Sequence, residues 1–336
     1  MRVRDYNIDL LKALACLGVV GLHTFGAISY TLYYLCTFSV PVFFMVNGYL
    51  MMGKERVTWK YASRKALGVL KVVLLWNILI MIPVALFRRK LVNPIDLSVK
   101  SMLQEGYLWH FWFLGSLVIM YLLLPFGHMV IKKHPHAHRF VCSFLLGCSI
   151  YVTVLSCVRE YPMMVFVPQS MRLWTWMLYF LIGGYIGEYK KHRIDDRKKM
   201  VCMLLILAAL TVAANIVQKR IGHFLYHQRM AEFFYDEIVV IVWITFLFYL
   251  LTGLNITNEG LQRVVTELSG LSFGVYILHP LIMKAVEVAS PVNEIINTSP
   301  YKNALAVVYY LGIVLLSFAA SKVMSKIPLI KELVKL

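Results

Sequence analysis

Long apolar runs separated by short basic clusters repeat along the chain, and ten of them are long enough to cross a bilayer. A hydrocarbon core of about 30 Å takes roughly 20 helical residues. The runs lie at 6–28, 32–52, 66–87, 109–130, 140–158, 173–189, 201–218, 238–254, 271–289 and 304–324. The sixth and eighth are short, which predicts tilted spans or ends extended by their flanks. In lipid every backbone polar group must be satisfied internally, so runs of this kind predict helices. The expected fold class is all-α, a polytopic integral-membrane helical bundle of about ten transmembrane helices. One membrane domain is expected over residues 1–336, with no soluble domain, low-complexity segment or short-period repeat.

The first run, DYNIDLLKALACLGVVGLHTFGAISY from Asp5 to Tyr30, carries three polar intruders: Asp9, Lys12 and His23. Polar residues inside it and its direct passage into the second run predict a retained helix rather than a secretory signal. Eleven helical steps bring His23 back to within about 20° of Lys12, three turns further along and about 16 Å away. Both side chains therefore share one face. Ionisable groups at membrane depth are costly and face a bundle interior or a wet cavity, so the pair marks a candidate site. Against this stand plainer roles: Lys12 as a snorkelling residue paired with Asp9, and His23 as a helix–helix hydrogen-bonding group.

Composition agrees with a membrane class: 60% of residues are hydrophobic, 15% charged, and the mean hydropathy is +0.70. The formal net charge of +17 is distributed as short clusters between apolar runs, which is the signature of membrane orientation and not of nucleic-acid binding. With the N-terminus inside, 20 Lys and Arg fall on the cytoplasmic side and 10 on the other. This bias places both termini in the cytoplasm, and the run KKHRIDDRKK after the sixth span is its strongest single indicator. Loops 88–108, 159–172 and 219–237 then face outward. Within the last, FLYHQRMAEFFYDE is expected to form an amphipathic interfacial helix. The other reading has His223, Tyr226, His227, Arg229, Phe233 and Phe234 lining an entrance for a polar acceptor. The six cysteines lie in apolar stretches without CxxC spacing, so they read as packing residues, not as a zinc site or disulfide framework. His134, His136 and His138 alternate beside Lys132 and Lys133, a poor metal set, and no metal site is expected. Gly183, Gly184 and Gly187 lie inside an apolar span and predict close helix packing, not a phosphate loop.

The stretch IDLLKALACLGVVGLH, with Lys12, ten intervening residues and His23, resembles the first helix of the acyltransferase-3 family of bacterial inner-membrane enzymes. Lys12 stands where that family usually has arginine. Three further stretches follow in the family's order: VPVFFMVNGYLM at 40–51, with Asn47 where serine is common; LWHFWFLGSLVIMYLLLP at 108–125; and LSFGVYILHPLI at 271–282. The resemblance implies a multi-pass protein of the bacterial inner (cell) membrane that moves an acyl group onto a hydroxyl of a cell-envelope glycan or its lipid-linked precursor. Its donor would be cytoplasmic acyl-CoA, acetyl-CoA above all, taken as a substrate with no bound cofactor. The partners expected are that donor, the glycan or lipid-linked sugar acceptor and the lipid bilayer, with no nucleic acid and the oligomeric state left open. The Arg-rich entry to the family's third helix is replaced here by Arg64, Lys65 and Lys71 at looser spacing, so their donor contacts are not carried over.

Such a transfer needs a base for the hydroxyl proton, a donor for the oxyanion and positive charge for the carrier's phosphates. Histidine ionises near operating pH, which makes His23 the candidate base. Lys12, Asp9, Asn47, His110, Trp112, Tyr276 and His279 are the candidate substrate-binding residues. Lys12 and Asn47 are expected toward the cytoplasmic side. His110 belongs near the outer end of the fourth span, and His279 about 12 Å into the ninth from Leu271. The plainer alternative for His110 and Trp112 is an interfacial anchor, and for His279 a group satisfying a carbonyl freed by Pro280. The chief alternative function is a polysaccharide or sugar-precursor transporter or exporter, which a polar path and ten spans also fit, although no inverted repeat is evident. An inactive relative that senses a ligand or scaffolds an assembly is a third.

Overall fold

The computed structural model describes residues 4–26, 28–89, 92–189, 192–328 and 330–335, so Arg2, Lys90, Lys190 and Lys191 of the basic clusters lie outside the described residues. Among the described residues there are thirteen α-helices and no strand. They are α1 (Tyr6–Phe25), α2 (Tyr30–Leu35), α3 (Ser39–Met52), α4 (Trp59–Arg88), α5 (Pro94–Met102), α6 (Trp112–Lys133), α7 (Pro135–Val158), α8 (Leu173–Tyr189), α9 (Arg197–Phe224), α10 (Ile238–Thr252), α11 (Glu259–Ala289), α12 (Val292–Thr298) and α13 (Lys302–Lys326). Every one of the ten apolar runs is found in a helix, and eight helical stretches are long and apolar enough to span, with α2 and α3 acting as one. The short sixth and eighth runs are α8 and α10, of 17 and 15 residues.

Helix ends differ most from the apolar runs. α4 begins at Trp59 and α11 at Glu259, each well before its apolar segment, because side-chain caps set the start: Thr58 accepts from the Tyr61 amide and Asn258 from the Leu261 amide. Asp5 caps α1 in the same way through the amides of Asn7 and Ile8. Asn7 then donates to the carbonyls of Thr252 and Leu254 at 2.9 and 2.7 Å, fastening the start of α1 to the end of α10.

α1 lies at the centre, packed on α11, α3 and α13, whereas α7 and α9 turn most of their apolar side chains outward. α3 and α8 form the closest pair. A Cβ on Gly48 would overlap the Phe180 carbonyl, and one on Gly183 the Met45 carbonyl, so the glycines are what let the two backbones touch. The packing reading of Gly183, Gly184 and Gly187 holds: Gly184 and Gly187 abut Met52 and Tyr49 of α3.

Three expectations are corrected. FLYHQRMAEFFYDE is not an interfacial helix: α9 stops at Phe224, only a 3-10 turn over Ala231–Phe233 follows, and Tyr226, Phe233 and Phe234 are buried. These aromatics plug the end of the bundle instead of lining an entrance. The Tyr33 hydroxyl accepts from the Ala231 amide, Tyr34 donates to the Arg229 carbonyl, and Tyr179 donates to the Tyr235 carbonyl. All six cysteines are free, but Cys202 is exposed on α9 and so is not a core packing residue. Asp9 does not pair with Lys12; its two oxygens are taken by Arg4 at 2.6 Å and Ser269 at 2.7 Å.

Candidate active site

α1, α3, α4, α6 and α11 enclose a cavity of about 520 Å³ with two chemically different ends. Arg4, Lys12, Lys65 and Lys335 converge at one, with Asp9 the single carboxylate among its lining residues. His23, His110, Trp112 and Tyr276 line the other. Lys12 and His23, three turns apart on α1, both line it, and their common azimuth is what aims both into it. Between the two ends, the Tyr121 hydroxyl donates to Asn47 Oδ1 at 3.2 Å while Asn47 Nδ2 donates to the Phe43 carbonyl at 2.8 Å. Asn47 is thus held by its own helix and by α6.

Asp9 is buried and tied to Arg4 and Ser269, and no ion pair of Lys12 occurs among the described residues. A cation without a carboxylate partner beside a cavity keeps its charge available to an anionic ligand. Lysine supplies a point charge there, not the planar fork of arginine.

At the opposite end three histidines meet, from α1, from a 3-10 turn over Trp109–Phe111 before α6, and from α11. The rings of His23 and His279 are 5.0 Å apart between centroids, those of His110 and His279 6.2 Å, and Trp109 sets its edge against His23 at 5.2 Å. Nδ1 of His279 is 2.9 Å from the Val275 carbonyl. A carbonyl only accepts, so Nδ1 carries the proton and Nε2 is left with its lone pair. Nε2 is buried with no hydrogen-bond partner among the described residues, and the buried His110 ring stands close to the backbone of Ile277. Buried polar atoms without partners are uncommon and costly, and His279 Nε2 is one that stands beside His23 at the edge of the cavity. The interfacial-anchor reading of His110 and Trp112 fails, because both are buried, at 2% and 6% exposure. Tyr276 locks the turn that carries His110 by donating its hydroxyl to the His110 carbonyl.

Of the eight residues chosen from sequence, Asp9, Lys12, His23, Asn47, His110, Trp112 and Tyr276 line the cavity. His279 stands behind His23 without lining it. Arg4, Tyr121, Ser269 and Lys335 line it without being among those eight, and so does Lys65, to which the family's donor contact does not carry over. Tyr121 had a signal, since it stands in the quoted stretch at 108–125; Lys335 had none, because it follows the last apolar run. Among the described residues no group of three His, Cys, Asp or Glu side chains is arranged to hold a metal ion.

A family model described as an acyltransferase domain, that of acyltransferase-3, matches residues 5–325. The chain belongs to the acyltransferase-3 family. It is a multi-pass membrane protein of that family, with the motif histidines gathered at one end of the cavity and the motif lysine at the other. Among individual proteins, an amino-acid racemase of Enterococcus faecalis is 23% identical over 334 residues, covering 92% of this chain and 45% of that protein. A second amino-acid racemase of the same organism is 22% identical over 59% of this chain and 31% of its own length. A serine/alanine racemase of Enterococcus gallinarum is 30% identical over 148 residues, 39% of this chain and 21% of that protein. The chain thus spans less than half the length of these relatives. No solved structure matches it.

Proposed function

We propose that this acyltransferase-3 member is a membrane O-acyltransferase that moves an acyl group, acetyl above all, from cytoplasmic acyl-CoA to a hydroxyl of a cell-envelope glycan or its lipid-linked precursor. It works in the bacterial cell membrane with the basic end of its cavity in the cytoplasm. The observation that carries this reading is one cavity whose wall holds Arg4, Lys12, Lys65 and Lys335, with Asp9 as the one carboxylate among its lining residues, together with His23 and His110. An acyl thioester on a phosphorylated carrier has that polarity. Its phosphates suit Arg4, Lys12, Lys65 and Lys335, and its uncharged acyl end suits the aromatic and imidazole end.

His23 takes the proton of the acceptor hydroxyl as that oxygen attacks the thioester carbonyl carbon. The tetrahedral intermediate collapses by breaking the carbon–sulfur bond, and the thiolate leaves with the proton held by His23. A ring N–H of His110, which lines the cavity beside His23, is the donor for the oxyanion. His279 is a positioning residue: its ring, held by the Val275 carbonyl, packs against that of His23 and orients the base. Asn47 and Tyr276 hold the walls. The racemase names belong to proteins of which this chain matches less than half, and none of that activity is transferred to it.

The test is acetyl-ester content of envelope glycans, measured by mass spectrometry in cells with the protein, without it, and with His23→Ala. Removal of a general base costs about 10²- to 10⁴-fold in rate. His23→Ala should therefore match the deletion strain while the protein still accumulates in the membrane. Equal acetylation in all three strains overturns the reading and leaves transport of an unmodified precursor as the better account.

A further inference from the structure

Beside the basic end of the main cavity runs a second hollow of about 550 Å³, and the two share Lys65, Tyr121 and Lys335. One wall is α4, with Tyr61, Arg64, Lys65 and Lys71. The other is the segment after α13, which turns back in a 3-10 turn over Lys331–Leu333 and brings Lys331, Glu332 and Lys335 to face α4. Five cations therefore line the hollow against a single carboxylate, Glu332, and that carboxylate is engaged by Lys71 at 2.5 Å.

This segment is a built wall and not a loose end. The Trp76 indole donates to the Leu333 carbonyl at 2.9 Å, and Leu333 and Val334 are buried, at 8% and 1% exposure. Gly274 of α11 makes room for it: a Cβ there would stand 3.0 Å from the Val334 Cβ. With Leu333 and Val334 anchored inward, the intervening geometry leaves Lys331, Glu332 and Lys335 on the hollow. The Lys71 ammonium also holds the Glu332 carboxyl below its usual range. Like charges gathered with so little compensation repel one another and lower the cost of capturing a polyanion.

We infer that residues 330–335 form the second wall of a polyphosphate-binding groove continuous with the main cavity, in which Lys331 and Lys335 hold the phosphates of a nucleotide-bearing thioester donor. The inference rests on the donor reading proposed above and extends it to a segment that the apolar runs do not reach. The shared Lys335 joins the two spaces, so one ligand lies with its phosphates between α4 and this segment and its acyl end toward His23.

The experiment is calorimetric titration of the purified full chain in detergent with coenzyme A, S-acetylpantetheine and inorganic pyrophosphate. A tenfold change in affinity per lost charge-assisted contact is the scale to look for. Lys331→Gln with Lys335→Gln should weaken coenzyme A and pyrophosphate binding by tenfold or more, with S-acetylpantetheine within about twofold of the parent. Lys335→Arg alone should retain affinity, which separates charge from folding. Equal coenzyme A affinity in parent and double variant overturns the groove and leaves the donor reading standing. Pyrophosphate binding that depends on the two lysines, in a parent that ignores coenzyme A, supports the groove and overturns the donor reading. A parent that binds neither overturns both.

Discussion

At the scale of the residue, the informative contrast is between Asp9 and Lys12, two polar groups one turn apart on α1. Sequence alone allows them to neutralise each other, because an i, i+3 pair lies on one helix face. In the fold Asp9 is turned to Arg4 and Ser269, and Lys12 is left on the cavity wall without an ion pair among the described residues. A lysine that only snorkels has no reason to be released from its neighbouring carboxylate in this way. Lys12→Ala should therefore raise the KM for acyl-CoA about tenfold with little change in kcat, the result of losing one ground-state contact to a phosphate. Donor-saturation curves in membranes measure it, and an unchanged KM would show that Lys12 does not meet the donor.

At the scale of the element, glycines separate touching helices from lipid-facing ones. Gly183 lets α8 reach the backbone of α3, whereas Gly147 in α7 has open space where its Cβ would be. Gly183→Ala should cost about 1–3 kcal/mol through forced separation of the pair, and Gly147→Ala should be neutral or stabilising by up to about 1 kcal/mol from helix propensity. Opposite shifts of the thermal midpoint in detergent would confirm the contrast. Matched shifts would place α3 and α8 further apart than described. The small-residue spacing within α8 was legible in the sequence, as were all ten apolar runs and the four motif stretches, because hydropathy and local spacing carry them. The aromatic stretch after α9 was not. Its polar residues suggested an interface, but the aromatic rings are buried through contacts with Tyr33, Tyr34 and Tyr179, more than forty residues away along the chain. Lys335 was hidden for a related reason: it is held at the cavity by distant contacts, Val334 against Gly274 and the Leu333 carbonyl against the Trp76 indole.

At the scale of the whole molecule the two ends of the bundle differ in charge. The end holding the basic part of the cavity gathers cations; the end closed by the stretch after α9 buries two adjacent carboxylates, Asp236 and Glu237, with the buried Arg172 the cation acting on Asp236. Asp236 accepts from Ser149 at 2.8 Å and Thr175 at 2.7 Å, and burial still raises its pKa. Glu237, at the start of α10, is raised to about 7, first by burial and then by the neighbouring Asp236, against a hydrogen bond from Tyr226 that pulls the other way. The folded chain therefore binds more protons than the unfolded one between the ordinary glutamate value of 4.5 and about 7. By linkage, stability falls as pH rises through that window and is flat above it. Between pH 5 and pH 8 the parent should lose on the order of 1–3 kcal/mol from this group. Glu237→Gln keeps the shape of the protonated acid and cannot ionise, so its midpoint should exceed that of the parent at pH 8 and fall less steeply from pH 5. The residual slope belongs to Asp236, which shifts in the same direction. Thermal melts of both proteins across this range decide the matter: parallel curves would mean that Glu237 is already ionised at pH 5 and that the closed end of the bundle tolerates its charge.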